Sequence, residues 1–243
     1  MASRTKGFVE FVDFGTTVLN LAGISPPNGT DGRPFLGNGV TASEVDARQE
    51  TFGYADRFDE KYDLVRTLRQ GKFKYIRNFE PFLPDALQNN YRYKMLAYQE
   101  WRDLYKQGKL NEVQSQFFQP KAPEALYDLS ADPHETKNLA DDPKFADRIK
   151  QMRQRLNERL KSMPDLSFVT ETILYDSAFD QPVAFGQQHR EAIGELIDVA
   201  NLALLPWEQA EPKLREAIAS DDWLVRYWAL VACSSFEIGR AHV

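Results

Sequence analysis

The chain has 243 residues, long enough to bury the core of one large domain or two small ones. Its net charge of −6 argues against a nucleic-acid binder by composition, and its single cysteine, Cys233, excludes a disulfide framework or a cysteine-based zinc site. No stretch approaches a membrane span, and the opening residues Met1-Ala2-Ser3-Arg4-Thr5-Lys6 do not read as a signal peptide.

Residues 8–24 read as a strand edge running into a short helix that Gly23 ends. Residues 26–34 carry every turn signal and form a loop. Residues 51–54 can be a strand. Residues 64–69 and 72–78 read as a hairpin with Gln70-Gly71 as its two-residue turn. There Arg69, Lys72, Lys74 and Arg77 interleave with Phe73 and Tyr75. That alternation suits a half-buried strand better than a polyanion-binding surface. Residues 79–121 are long, irregular and aromatic, with short helices over 98–104 and 111–118. Tyr98, Trp101 and Tyr105 could stack on sugars or pack on a helix face.

Residues 126–129 form a further strand, so about four strands are expected. Asp132-Pro133 is a helix-start signal, and Glu135 completes a capping-box pattern with Asp132. His134 lies inside that cap with no second metal ligand nearby. Asp142-Pro143 repeats the signal and opens a longer helix. Phe145, Ile149, Met152, Leu156 and Leu160 then share one face of it. Past Met163-Pro164 the character changes. Residues 187–204, 207–219 and 222–235 read as three amphipathic helices.

Taken in order, these segments resemble the C-terminal region of the sulfatase family. Residues 12–24 resemble its V-D-L-x-P-T-L-L-x-L-A-G-I segment, with Thr16 where the family usually has Pro. Asp31-Gly32 followed by Phe35-Leu36 resembles its G-x-x-F-L element, and residues 125–140 resemble its L-Y-D…D-P-x-E-x-x-N-L signature. The stretch from Tyr54 to Asn138 is similar in detail to heparan N-sulfatase (sulfamidase) relatives. The helix beginning Asp222-Trp223-Leu224-Val225-Arg226 resembles a HEAT-type repeat.

The resemblance implies an α+β fold: a small antiparallel sheet with packed helices, the C-terminal subdomain of the alkaline-phosphatase-like sulfatase fold, followed by an all-α helical-repeat-like segment. Residues 1–166 form the sulfatase region, 167–236 the HEAT-like segment and 237–243 a tail that matches sequencing-adapter read-through. The implied parent reaction is hydrolysis of sulfate esters or sulfamates on sugars or glycosaminoglycans, with formylglycine and calcium as cofactors. Both cofactors are expected in a missing N-terminal half, and an exported parent is one option. The family's nucleophile arises in C/S-x-P-x-R. Cys233 has no Pro or Arg in register, so no catalytic residue carries over. What can remain is substrate recognition: Asp56, Arg57, Asp59, Glu60 and Lys61 crowd the loop before the hairpin. Arg57 or Lys61 suits a sulfate or carboxylate, and Asp59 or Glu60 suits sugar hydroxyls. The bland reading is a solvated charged loop. A different class of function is a non-catalytic binding or scaffold module built on the HEAT-like helices. The exposed sheet face, lacking the catalytic half, is expected to favour aggregation.

Overall fold

In a computed structural model, which describes residues 4–58 and 61–236, α1 spans Asp13–Leu21 and α2 spans Ala42–Asp46. A sheet follows, of β1 (Glu50–Phe58), β2 (Lys61–Gln70) and β3 (Phe73–Asn78). The aromatic insertion carries α3 (Leu96–Lys106) and α4 (Glu112–Ser115) before β4 (Glu124–Asp128). Then come α5 (Ala146–Ser162), α6 (Glu171–Ile173), α7 (Pro182–Gln188), α8 (Arg190–Ala200), α9 (Trp207–Ile218) and α10 (Trp223–Cys233). The fold is mixed α+β, with the four strands antiparallel in the order β1-β2-β3-β4, as the turn-punctuated runs predict.

Period two places Leu64, Leu68 and Tyr75 on one face of the sheet, and Leu68, Tyr75 and Leu126 lie in one row across β2, β3 and β4. Ile149, Met152, Leu156 and Leu160 of α5 are buried in the same core cluster, each burial worth roughly 1.5–3 kcal/mol. Phe79, Phe168 and Trp228 extend this core to α10. Their rings lie 4.8–6.3 Å apart, and Trp228 Nε1 donates to the Phe168 carbonyl at 2.9 Å. The helices after residue 166 therefore share one core with the sheet.

Several local expectations are corrected. Residues 8–10 are not strand, because the Glu10 carboxylate itself takes the β1 edge, accepting from Phe52 N at 3.0 Å and Thr51 Oγ1 at 2.8 Å. The hairpin turn is Gly71-Lys72, with Gly71 at φ +55°, a conformation that suits a residue without Cβ. No helix starts at Asp132. Its Oδ2 accepts from Thr136 N at 2.7 Å and Lys137 N at 2.8 Å, closing a loop. Glu135 does not reach back to a cap but pairs with Lys74 at 2.8 Å. The signature then folds onto the free edge of β4: Asn138 Oδ1 accepts from Leu126 N at 3.0 Å, and Leu139 N donates to Leu126 O at 2.9 Å. An uncovered edge would be a template for association, so this loop acts as its cover.

The helix expected over 187–204 is split at His189, which stacks on Phe185, and its end tightens into a 3-10 turn at Asn201–Leu204. Residues 237–243, the adapter-like tail, lie outside the described residues.

Candidate functional site

The exposed apolar surface is not the sheet, whose core face is covered by α5, with α8 packed against α5 in turn. It is α1, which is built inside out. Asp13, Thr16 and Thr17 are buried, while Phe14, Val18 and Leu21 face outward, with Phe11 (91% exposed) and Ile24 beside them. The buried polar face serves the loop after it. Asp13 Oδ1 accepts from Arg33 N at 2.8 Å, Thr17 Oγ1 from Phe35 N at 3.1 Å, and Arg48 lies 3.8 Å from Asp13. Gly32 lies so close that a Cβ there would fall 2.1 Å from the Val12 carbonyl oxygen, which accounts for the glycine in Asp31-Gly32.

Between this loop, β1 and the end of α5 opens a cleft of about 570 Å³. Asp56 lines it from a β-bulge in β1, where the register shifts between Ala55 and Arg57. Bulges re-aim a side chain, and this one turns Asp56 to accept from Ser167 Oγ and to lie 3.7 Å from Arg66. Burial pushes the Asp56 carboxyl up. The Ser167 hydrogen bond, the Arg57 backbone N–H and the charges of Arg66 and Arg57 outweigh it and hold the group below the usual carboxylate range. Arg66 forms a two-pronged bond to Asp165, Nε to Oδ2 at 2.6 Å and Nη2 to Oδ1 at 2.9 Å. Arg33, Tyr54 and Arg159 complete the walls.

The expected recognition group is thus only partly assembled. Asp56 faces the cleft. Arg57 does not line it: its Nη2 donates to the Val169 carbonyl at 2.9 Å, its Nε lies 3.0 Å from Glu171 without hydrogen-bond alignment, and its guanidinium covers the Tyr62 ring at 4.9 Å. Asp59 and Glu60 lie outside the described residues, as does the side chain of Lys61, which opens β2. Sequence reasoning missed Arg33, Tyr54, Arg159, Asp165 and Ser167 as cleft residues. Asp165 and Ser167 meet β1 and β2 across about a hundred residues, and no local pattern signals such a contact.

The basic hairpin residues are taken up internally. Lys72 pairs with Asp128 at 2.6 Å and Lys74 with Glu135, and Arg77 is fully buried. Among the described residues no group of three or more His, Cys, Asp or Glu could hold a metal ion. Cys233 closes α10, and burial pushes its thiol up. The described residues fit neither a formylglycine nor a calcium site.

Together these features define a mixed α+β unit with an outward apolar helix and a cleft of charged and aromatic side chains. Over 180 residues, 72% of its length, the chain is 35% identical to the ulvan-active sulfatase of Formosa agariphila, of which it spans 30%. It is therefore homologous to part of a sulfatase. No family model matches it. Among solved structures it is similar to the 2-O GAG sulfatase BT1596 (18% identity, TM-score 0.38, 65% of this chain and 26% of that one). It is also similar to BT4656 in complex with D-glucosamine-2-N,6-O-disulfate (17% identity, TM-score 0.36, 61% of this chain and 23% of that one).

Proposed function

We propose that this chain is the C-terminal part of a sulfatase of the alkaline-phosphatase-like fold, acting on sulfated sugars, with the formylglycine and calcium chemistry supplied by the rest of the protein. The observation that carries it is the 35% identity to a sulfatase over 180 residues. The motif order in residues 12–140 and the outward apolar face of α1 support it, since such a face suits burial against a further part of the same protein. In this reading residues 1–166 are the sulfatase region and 167–236 a HEAT-like extension. The Asp56–Lys61 segment helps choose the sugar, and the whole protein is of the heparan N-sulfatase (sulfamidase) type. The chain alone turns over no sulfate ester.

The test is to sequence the source DNA on both sides of this reading frame and to assay the protein it encodes. An in-frame C/S-x-P-x-R upstream, with sulfate release by the whole protein and none by residues 1–236, is the expected result. A flanking sequence without that motif, or turnover by this chain alone, overturns the reading.

A further inference from the structure

We propose that the cleft between the Asp31–Arg33 loop, β1 and the end of α5 binds an acidic sugar unit, whose sulfate or carboxylate oxyanion sits between Arg33 and Arg159 with the Tyr54 ring alongside. The sugar part deepens the sulfatase reading and rests on it; the oxyanion part rests on the cleft alone.

The argument is one of charge. Most ionised groups that line the cleft are already engaged. Asp13 accepts from Glu10 N and Arg33 N, and Glu10 from Thr51 and Phe52. Asp56 is held by Ser167, and Asp165 and Arg66 hold one another. The guanidiniums of Arg33 and Arg159 make no hydrogen bond or ion pair of 4 Å or less among the described residues. Arg159 lies over the Phe52 ring at 5.3 Å, a contact that uses its face and leaves the in-plane N–H donors free. Glu50, a carboxylate that feels the charge of Arg159, is taken by Arg155 at 2.6 Å.

Two uncommitted planar forks in one partly enclosed cleft match a tetrahedral sulfate or a planar carboxylate. Tyr54 is 82% exposed on β1, its ring approached by the Arg66 guanidinium at 6.0 Å and otherwise open to the cleft and solvent. Asp31 is the remaining cleft carboxylate, with neither a side-chain hydrogen bond nor an ion pair among the described residues, and it suits sugar hydroxyls rather than a second anion. An anion that also presents hydroxyls and an apolar ring face uses all four groups. A bare anion uses two.

The experiment is calorimetric titration of the chain with glucose 6-sulfate, glucuronate, glucose and sodium sulfate. The sulfate ester or the uronate is expected to bind about tenfold or more tightly than glucose or free sulfate, the scale of a charge-assisted hydrogen bond. The tighter of the two acids identifies the source of the oxyanion. Arg33→Ala and Arg159→Lys are each expected to weaken binding about tenfold, and Tyr54→Ala about threefold. Arg33 is exposed and Lys keeps the packing of residue 159, so these variants fold. Arg215→Ala, exposed on α9, removes the same charge and leaves binding unchanged. Equal binding of glucose, free sulfate matching both acids, or wild-type affinity in the Arg33 and Arg159 variants overturns the proposal. None of those outcomes touches the sulfatase reading, which stands or falls on the flanking reading frame and sulfate release.

Discussion

Helices α1 and α5 are opposites. α5 buries Ile149, Met152, Leu156 and Leu160 and turns its charges to water. α1 buries Asp13, Thr16 and Thr17 and turns Phe14, Val18 and Leu21 outward. Both helices have an apolar stripe of helical period, so period alone shows that a face is apolar and not what it meets. What separates them is the demand of the neighbouring chain. α5 lies against an apolar sheet face, whereas α1 lies against a loop whose backbone N–H groups at Arg33 and Phe35 need acceptors. The largest effect expected from breaking this contrast is on α5. Leu156→Ala should cost about 4 kcal/mol by urea denaturation, as a large-to-small change in a packed core. The paired change on α1, Phe14→Ser with Val18→Ser, should move stability by no more than about 0.5 kcal/mol while reducing self-association in sedimentation. Equal losses at the two sites would show that α1's outer face is part of the folding core.

A second contrast concerns polar groups. Under α1 they are short side chains near the surface. In the core it is Arg77, which donates to Asn201 Oδ1 at 3.0 Å and to the carbonyls of Asn78, Pro123 and Ala200 at 2.5, 3.0 and 2.7 Å. The Ala200 carbonyl ends α8, where the helix dipole favours a cation. Burial pushes the guanidinium down to about 10, yet it stays charged at neutral pH. Arg77→Met keeps the volume but strands those carbonyls, and should cost about 3 kcal/mol in the same denaturation assay. A neutral outcome would mean that water takes over the carbonyls and that Arg77 does not stitch β3 to α8.

The parts of this molecule legible in the sequence are those set by local period and by turn chemistry. The α5 stripe, the four strands, the helix that Gly23 ends and the Asp222 cap of α10 all depend on neighbours a few residues away. The failures have one physical cause. At Asp132-Pro133 the cap signal is real, but the N–H groups it collects belong to a loop that must reach back to cover β4. At Arg77 the strand alternation was legible, but not the cluster of orphan carbonyls that draws a charge inward. The cleft was the least legible. Asp56 stood out in a charged run, while Asp165 and Ser167 reach it only through the tertiary fold, and Arg159 sits just off the apolar stripe of α5. Such partners are matched across the fold and leave no spacing to read.

The smallest expected effect compares two buried carboxylates, one on each side of this contrast. Asp13 beneath α1 accepts two backbone N–H groups and has Arg48 close by. Glu80, in the core just after β3, accepts one, from Leu64 at 3.2 Å. Burial, with Asp63 adding to it, pushes Glu80 up to about 7. The Leu64 bond and the charges of Lys121 and Arg57 only partly oppose this. The folded chain therefore holds a proton that the unfolded chain has already released at the ordinary pKa of 4.5. Stability is lost as pH rises from the unfolded value towards the folded one, and the loss is complete above it. Glu80→Gln keeps an oxygen for Leu64 N and removes the titration. The variant should match the wild type near pH 4.5, gain on it through the interval to about pH 7, and hold a constant lead on the order of 1 kcal/mol at pH 8. Urea midpoints of both proteins at pH 5 and pH 8 measure that gap, and the carboxylates common to both cancel. A gap that stays constant between the two pH values would mean that Glu80 is ionised in the fold, its desolvation offset by the Leu64 N–H, Lys121 and Arg57.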